Sequence, residues 1–434
     1  MINTNRLKRV VIASVGAMAL VGSLVTPAVA ADPGVTATEI KLGISSPTTG
    51  SAGRVYGKLP GAMKAYFDYI NANGGVNGRK ITLVARDDKY LPTLAATQTT
   101  KLILQDQVFA LVGALGTATH SKAYTAAALA AKNVPDLFVN TGYSGFANKT
   151  KYPTTFTILP SYAMEAKIMA KYIKDNLSGQ PFALFAQADE FGKDGIAGFT
   201  AAKTPPANTT LYPTSSVTAD VAKTYLTAIS ATPIKLVILF GTTDVTATVL
   251  KAAEDLNLIG KLTFMAGSVG GDANTLLALG VKPTTIDGLV AASFFPDAKD
   301  TTDEYVAQFS AINAKYNPGV TFDNVVLQGM NSAMLTVQAL RAAGKNLTRA
   351  GLISAIESKG ATFASAGLVP LNFSASSRVG YNGYWFGKLN AKGELKPATG
   401  TTPVVYTTDS GAGDIVKSDY KRLPIPAKGI PNNS

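Results

Sequence analysis

From about residue 40 to beyond residue 290, short apolar runs alternate with segments of mixed apolar and polar residues. Short apolar runs lie at 40–44, 81–85, 109–113, 136–140, 182–186, 236–241, 262–267 and 288–295. Runs of this length are typical of strands buried in a parallel sheet, and most of them are followed by a helical pattern. The order predicts the α/β fold class, with mainly parallel sheets flanked by helices.

Residues 40–88 predict one βαβ unit, because four apolar residues between its two strands share one helical stripe: Ala62, Tyr66, Tyr69 and Ile70. Ligands of open α/β sheets bind at the carboxyl ends of the strands. Here the first strand ends in hydroxyl-bearing residues, without acids, histidines or a phosphate-binding glycine motif: Ser45, Ser46, Thr48, Thr49 and Ser51. The unit therefore predicts a ligand crevice lined by hydroxyl groups.

The second half of the chain adds a long helix and an aromatic segment. An apolar stripe predicts a helix over 322–343, and its members are Val326, Met330, Ala333, Met334, Val337 and Leu340. Residues 369–396 are rich in aromatic and turn residues and predict a β-hairpin. The proline-containing residues 422–434 predict a loosely held tail.

The first thirty residues have the pattern of a signal peptide. Arg6, Lys8 and Arg9 precede an apolar stretch over 10–25, and Ala28 and Ala30 form a small-residue cleavage site. A membrane anchor is the alternative, but the apolar core is shorter than the ~20 residues that a span needs. The chain has no cysteine. We therefore expect a soluble extracytoplasmic protein, cleaved after Ala30 and not lipid-anchored through cysteine.

The net charge bears on possible partners, and the chain length on the number of lobes. The net charge is +12, and removing the three basic residues of the signal peptide lowers it to +9. The basic residues are scattered, as at Lys167, Lys171 and Lys174, and form no aromatic-interleaved stripe. This pattern favours a solvated surface over nucleic-acid binding. About 400 mature residues exceed one ordinary core and predict two lobes.

Two later strand ends have the same chemistry. Residues 111–131 and 239–256 each leave a strand through a glycine, present threonines and begin a helix. Backbone N–H groups and hydroxyls would then converge on a ligand from two sides. The alternative is that Thr117, Thr119 and Thr242 only cap their helices, and the recurrence at two strand ends favours the ligand.

Several segments together resemble a known family. They are IKLGISSPTTG, YFDYINANGGVNGRKITLVARDD, Pro92 to Ala95, FALVGALGTATHS, ADEFGKDG and NGYWFGKLNAKGEL. The chain resembles the extracytoplasmic solute-binding proteins of branched-chain amino-acid ABC importers, the leucine/isoleucine/valine-binding type. The resemblance implies two Rossmann-like lobes joined by a three-crossing hinge, which close on a small-molecule solute. It implies an ABC permease and its ATPases as partners, a monomer, and neither a cofactor nor a metal.

The resemblance also implies lobe boundaries. The N-terminal lobe would comprise 38–159 and 293–366, and the C-terminal lobe 160–292 and 367–434, with crossings near Leu159, Ser293 and Gly367.

Site residues follow from the resemblance position by position. The loops that hold a ligand carboxylate in the family match Gly116 and Thr117, and Gly142 and Ser144. The lid position matches Tyr56, and the aromatic residue beside the hinge matches Phe191. These matches favour a ligand with a carboxylate.

The sequence departs from the family's pattern at the positions that bind the ammonium group of the ligand. The family's ammonium-binding tyrosine aligns with Thr242, and its acidic residue aligns with Ser268. An ammonium without a carboxylate partner loses a charge-assisted hydrogen bond of about 1.5–3 kcal/mol. The sequence therefore predicts poor binding of leucine, isoleucine or valine, unless Asp244 enters the site.

Two other function classes compete with a binding protein: a secreted hydrolase and a sensory ligand-binding domain. A serine hydrolase would have to use His120, the only histidine, and the sequence around Ser144 lacks the G-x-S-x-G spacing. Asp87 and Asp88 lack a nearby His or Cys cluster, so helix capping is favoured over a metal site there. We expect no enzymatic activity.

Overall fold

The computed structural model describes residues 32–214, 217–408 and 411–432. The predicted signal peptide, residues 1–30, lies outside these ranges. Within them, no helix combines the length and the apolar character needed to cross a membrane.

The first sheet has five parallel strands in the order β2-β1-β3-β4-β5. They are β1 (Glu39–Ser46), β2 (Lys80–Asp87), β3 (Ala110–Val112), β4 (Asp136–Val139) and β5 (Thr155–Thr157). The intervening helices are α1 (Gly50–Tyr56), α2 (Leu59–Ala72), α3 (Pro92–Leu104) and α4 (Thr117–Ala126). β1 pairs with β2 along its whole length, from Glu39 to Ser46, so the predicted βαβ unit is confirmed.

The second sheet has seven strands in the order β12-β11-β10-β9-β8-β6-β7. They are β6 (Phe182–Gln187), β7 (Asn208–Tyr212), β8 (Leu236–Phe240), β9 (Thr263–Ala266), β10 (Val290–Ser293), β11 (Trp385–Leu389) and β12 (Leu395–Pro397). The helices of this part are α5 (Tyr162–Asn176), α6 (Glu190–Ala201), α7 (Ala219–Ser230), α8 (Thr243–Asp255), α9 (Ala273–Ala278) and α10 (Pro283–Ile286). β6 to β10 are parallel, whereas β11 and β12 form the antiparallel hairpin that the aromatic segment predicts.

The α/β class, with two lobes of mainly parallel strands flanked by helices, is therefore confirmed. Two strands of these two sheets were not predicted, because their sequences lack an apolar run. β5 has only three residues, Thr-Phe-Thr. β7 is an edge strand whose side chains are mostly exposed, so polar residues occupy it.

Three further helices join the first lobe: α11 (Glu304–Tyr316), α12 (Asn324–Ala342) and α13 (Arg349–Lys359). α12 packs against α2 and β4, α11 against α2 and α12, and α13 against α12. The predicted stripe of α12 is buried, but so are polar residues on its other faces. Asn331 bonds to Tyr381 Oη and to the N–H of Ala366, each at 2.8 Å. Gln338 bonds to both backbone groups of Ala364 at 2.8 Å. The two side-chain amides thus bind the backbone at 364–366, which follows α13, to α12.

The third crossing between the sheets lies later than the predicted position near Gly367. Thr157 N–H donates to Arg378 O at 3.0 Å, and Gly380 N–H donates to Thr157 O at 2.9 Å. The Arg378 guanidinium lies 4.2 Å from the centre of the Phe156 ring. The chain therefore extends the first sheet up to Gly380 and enters the second sheet at Trp385. This pairing is long-range, so the local pattern did not indicate it.

The C-terminal segment is held more firmly than predicted. After the short strands β13 (Tyr406–Thr407) and β14 (Val416–Lys417), the chain returns to the helices of the first sheet. Tyr305 Oη donates to Leu423 O at 2.9 Å, and Tyr66 Oη donates to Gly429 O at 2.6 Å. Residues 422–430 thus contact the first lobe, although the whole stretch 367–434 was assigned to the second. The two tyrosine hydroxyls need acceptors, and the tail supplies them.

We expect Arg422→Ala to lower the free energy of unfolding by about 1–3 kcal/mol. The Arg422 guanidinium donates to Ala366 O at 2.9 Å, pairs with Asp303 and lies 4.6 Å from the Tyr305 ring centre. Urea denaturation of this variant and of Lys421→Ala, an exposed neighbour, measures the difference. Equal stability of the two variants would show that the tail does not contribute to the fold.

Candidate ligand-binding site

A cavity of about 60 Å³ lies between the two sheets, beyond the carboxyl ends of their strands. Its apolar and aromatic lining comprises Tyr56, Tyr90, Leu115, Leu159, Tyr162, Phe191, Val269, Phe294 and Val325. Its remaining lining is Gly116, Asn140, Thr242, Thr243, Asp272, Asn324 and Gln328. The strand order places the N-termini of α4, α8 and α12 at this cavity, because each begins just after or beside a lining residue. The first N–H groups of a helix have no partner within that helix. At α12 the Asp323 side chain accepts from two of them, whereas α4 has no side-chain cap.

The first-lobe wall offers donors for an anionic oxygen. α4 begins after Gly116, whose φ of 99° favours glycine, and a Cβ there would lie 2.5 Å from the Tyr90 ring. The first backbone N–H groups of α4 have no acceptor within their own helix. Beside them, Asn140 is 7% exposed, and its Nδ2 has no partner among the described residues. Its Oδ1 accepts from Gln328, which fixes the amide orientation.

The second-lobe wall carries the one acid of the lining, Asp272. Asp272 caps the N-terminus of α9, accepting from Asn274 N–H at 3.2 Å and from Thr275 Oγ1 at 2.7 Å. Burial, together with the nearby Asp323 carboxylate, raises the pKa of Asp272 to about 6. Asp272 was not predicted from the sequence, because an aspartate before a helix is a common N-cap and gives no other signal.

Polar contacts join the lobes around the cavity. Tyr56 Oη, from α1, donates to Val269 O at 3.1 Å. Ser144, in the loop after β4, donates to Asp194 on α6 through its N–H at 2.6 Å and its hydroxyl at 2.7 Å. Burial raises the pKa of Asp194, and the two Ser144 bonds act against that shift. The structure is therefore a closed form in which both lobes surround the cavity.

The structure separates the predicted site residues into two groups. Tyr56, Gly116, Phe191 and Thr242 line the cavity. Thr117, Gly142, Ser144, Asp244 and Ser268 are not among its lining residues.

The second group has other contacts in this closed form. Thr117 Oγ1 lies 2.7 Å from Thr141 Oγ1, and the Ser144 hydroxyl bonds to Asp194. Gly142 allows close packing, because a Cβ there would lie 2.4 Å from Pro160 O and 2.8 Å from the Tyr162 ring. The two hydroxyls thus contact other protein groups, and their role in ligand binding stays a prediction.

Asp244 and Ser268, the two residues predicted to lie near a ligand ammonium, do not line the cavity. Asp244 is 7% exposed on α8, and burial raises its pKa, an effect that the Thr242 hydroxyl opposes. Ser268 donates its N–H to Glu165 on α5. Burial raises the pKa of Glu165 to about 7. Glu165 holds the loop that carries Val269 and Asp272, so it supports the wall of the cavity from behind.

The hydroxyl-rich loop after β1 bonds to its own neighbouring strand. Asp87 accepts from Thr48 N–H at 2.9 Å and from the Thr49 hydroxyl. Asp88 accepts from Ser45 Oγ at 2.8 Å. None of the five hydroxyl-bearing residues predicted after β1 lines the cavity in this closed form, so the predicted hydroxyl-lined crevice stays a prediction for this loop. The two aspartates hold the loop that precedes α1 and its lid residue, Tyr56.

His120 is a packing residue in the first lobe. Its Nε2 lies 2.7 Å from Asp136 Oδ2, and the ring packs against Phe146 at 5.3 Å between centroids. Both partners of this pair are buried, and neither lines the cavity. Among the described residues, no group of three or more His, Cys, Asp or Glu side chains is placed to hold a metal ion.

The family model for periplasmic binding proteins matches residues 39–394. The chain therefore belongs to the periplasmic binding protein family, and the resemblance seen in the sequence is confirmed. A curated relative, an amino acid binding protein of Pseudomonas aeruginosa, is 41% identical over 78 residues. That match covers 17% of this chain and 20% of the relative.

Solved structures of the same fold cover most of the chain. A substrate-binding periplasmic protein from Ralstonia solanacearum is 23% identical with a TM-score of 0.74, over 82% of this chain and 99% of that one. A branched-chain amino acid ABC transporter protein from Thermus thermophilus with bound valine has 18% identity and a TM-score of 0.74, over 87% and 98%. A solute-binding protein from Rhodopseudomonas palustris in complex with 3,4-dihydroxybenzoic acid has 19% identity and a TM-score of 0.68, over 82% and 95%. At these identities the likeness establishes the fold.

We expect Glu165→Gln to become more stable relative to wild type as the pH rises from about 4.5 to 7. The folded-state pKa of Glu165, about 7, exceeds the value of 4.5 in the unfolded chain, so wild type loses stability across this window. The loss reaches at most about 3 kcal/mol. Denaturation at pH 5 and pH 8 measures it, and a stability difference that is the same at both would contradict the account.

Proposed function

We propose that this chain captures a small polar organic solute, an amino acid or a related small carboxylate, between its lobes and delivers it to an ABC importer. Its family, whose members are solute-binding proteins of transporters, supports the transport role. The choice of solute rests on one observation. Asn140 Nδ2, in the cavity lining beside the N-terminus of α4, has no hydrogen-bond partner among the described residues. A helix N-terminus with a free amide donor suits a carboxylate oxygen.

The size of the cavity supports a small solute. The cavity of about 60 Å³ is far smaller than the roughly 300–1,000 Å³ typical of pockets for drug-sized ligands. Aromatic rings from both lobes, Tyr56 and Tyr90 from the first and Phe191 from the second, would cover the apolar part of such a molecule. The valine and 3,4-dihydroxybenzoic acid bound by two structural neighbours are both carboxylic acids of limited size.

The proposal includes a location and partners. The protein would act outside the cytoplasmic membrane, as the family implies, and would lose residues 1–30, as their sequence pattern predicts. It would be a monomer that presents its closed form to a permease with two associated ATPases. A hydrolase is disfavoured, because His120 is buried against Asp136 and lies apart from the cavity lining. No specific contact favours a sensory domain.

Binding should close the hinge. A thermal-shift screen of amino acids and small carboxylates on protein freed of carried-over ligand should find a solute that raises the melting temperature. Solution scattering should then show a smaller radius of gyration with that solute, because it stabilises contacts such as Tyr56 to Val269. A raised melting temperature with an unchanged radius would contradict closure.

Asn140→Asp should weaken binding of the carboxylate by about 10- to 100-fold, which corresponds to 1.5–3 kcal/mol. The aspartate has an oxygen where Asn140 has the Nδ2 donor, and its other oxygen can still accept from Gln328. Asn257→Asp, an exposed turn residue after α8, is the matched control. Calorimetry with the solute from the screen measures both variants. Equal affinity in wild type and Asn140→Asp would remove Asn140 from the carboxylate site.

A further inference from the structure

We propose that one proton on Glu165 decides which acceptor the Tyr384 hydroxyl binds at the hinge. With that proton present, Tyr384 donates to Pro160 O, in the first crossing between the lobes. Without it, Tyr384 donates to the Glu165 carboxylate, so the hinge is held more firmly in acid than in mildly alkaline solution. The consequence for solute capture rests on the proposed function, whereas the switch itself does not.

Tyr384 lies where the three crossings between the lobes meet. Its hydroxyl donates at 2.9 Å to Pro160 O, in the chain between β5 and α5. Its ring packs edge-on against Phe294, which follows β10, with 6.1 Å between the ring centres. Tyr384 itself belongs to the third crossing, which enters the second sheet at Trp385. The hydroxyl bond therefore joins the third crossing to the first.

Glu165, on α5, lies within reach of the same hydroxyl. It is 1% exposed, and it accepts from the Ser268 N–H through Oε1. Its Oε2 and the Ser268 hydroxyl oxygen are buried, and neither has a partner among the described residues. Burial raises the pKa of Glu165 to about 7, and hydrogen bonds from Ser268 and Tyr384 act against that shift.

A protonated Glu165 is compatible with the bond from Tyr384 to Pro160. The phenol has a single proton, which it donates to Pro160 O in this structure. A neutral carboxyl supplies its own donor at Oε2, and the oxygens of Ser268 and Tyr384 are acceptors for it. Every proton of the group then has an acceptor, and the first and third crossings stay joined.

An ionised Glu165 makes a different demand. Its carboxylate has no donor and about four acceptor positions, of which Ser268 fills two at most, with its N–H and its hydroxyl. The remaining donor within reach is the Tyr384 hydroxyl. A hydrogen bond to a charged group is roughly twice as strong as one between neutral groups, so Tyr384 leaves Pro160 O for the carboxylate.

No other charge satisfies Glu165 in its place. The titratable groups that face it are Tyr162, on its own helix, and Tyr384. Lys167, two residues further along α5, directs its ammonium group to Gly413 O. Within the described ranges, no Lys, Arg or His contributes to the pKa shift of Glu165. Burial therefore sets its charge state, which changes near pH 7 and not near 4.5.

The switch would make closure depend on pH. The bond from Tyr384 to Pro160 is present in this closed form, in which Glu165 is buried. Because the pKa of Glu165 is raised, the bond is retained below pH 7 and lost as the pH rises through that value. Losing one neutral hydrogen bond changes an equilibrium constant by about 5-fold. Capture would then be favoured below neutral pH and release above it.

Trp385, the only tryptophan of the chain, reports on this junction. It follows Tyr384 directly, is 1% exposed, and donates through Nε1 to Phe295 O at 3.0 Å. The measurement is the tryptophan fluorescence of the mature protein, without solute, from pH 5 to pH 9. We expect one transition that involves one proton, with its midpoint at about pH 7.

Two variants assign that transition. Glu165→Gln should remove it and keep the fluorescence of the acidic form, because the amide is neutral and its nitrogen is a donor, as in the protonated acid. Tyr384→Phe should also remove it, because the ring then has no proton to exchange between acceptors. Asp175→Asn, which changes an exposed acid on the same helix, is the control and should titrate like wild type.

Crystal structures of wild type at pH 5 and at pH 9 give a second readout that needs no variant. The Tyr384 hydroxyl should bind Pro160 O at the lower pH and Glu165 at the higher pH. This comparison decides the role of the hydroxyl if Tyr384→Phe does not fold.

Several results would overturn the switch. The absence of a transition in wild type, or its persistence in Glu165→Gln, removes Glu165 from it. A transition that persists in Tyr384→Phe shows an acid that titrates without moving the hydroxyl, and so does a Tyr384 that binds Pro160 O at both pH values. None of these measurements includes a solute, so their failure leaves solute capture intact, and failure of solute capture leaves the switch intact.

Discussion

The parallel arrangement of the strands is the constraint on which the site depends. In both lobes the carboxyl ends of the strands and the N-termini of the following helices lie on the same edge of the sheet. When the two edges face each other, α4 and α8 start at one cavity, together with α12. At α4, which has no side-chain cap, the first N–H groups lack acceptors in their own helix, so the fold itself creates a region suited to anionic groups. Asp272 adds one negative charge to that region.

Closure depends on a small number of polar contacts between the lobes. Ser144 bonds to Asp194, and Tyr56 bonds to Val269 O, on opposite sides of the site residues. A neutral bond such as that of Tyr56 contributes about 1 kcal/mol net and a bond to a charged carboxylate about 1.5–3 kcal/mol, so these contacts alone give a bias of a few kcal/mol toward the closed form. A ligand that bridges the two walls would add to that bias, which is the linkage that a capture-and-release protein requires.

The sequence predicted the architecture well, because buried parallel strands leave continuous apolar runs. The family resemblance, and not the apolar pattern, indicated four residues that line the cavity: Tyr56, Gly116, Phe191 and Thr242. The sequence did not predict Asp272, whose local pattern is that of an ordinary N-cap. Nor did it predict that Arg378 and the tail at 422–430 pack on the first lobe, since these contacts join residues more than one hundred positions apart. Local periodicity contains no information about such pairs.

The most direct test of the account is a crystal structure of the mature protein with a solute from the binding screen. The account predicts electron density between the lobes, with a carboxylate against Asn140 Nδ2 and the first N–H groups of α4. A different groove, of about 490 Å³, lies between the start of α11 and the C-terminal segment and includes Trp385 and Tyr420. Density for the solute in that groove, with the interlobe cavity holding only water, would contradict the central claim.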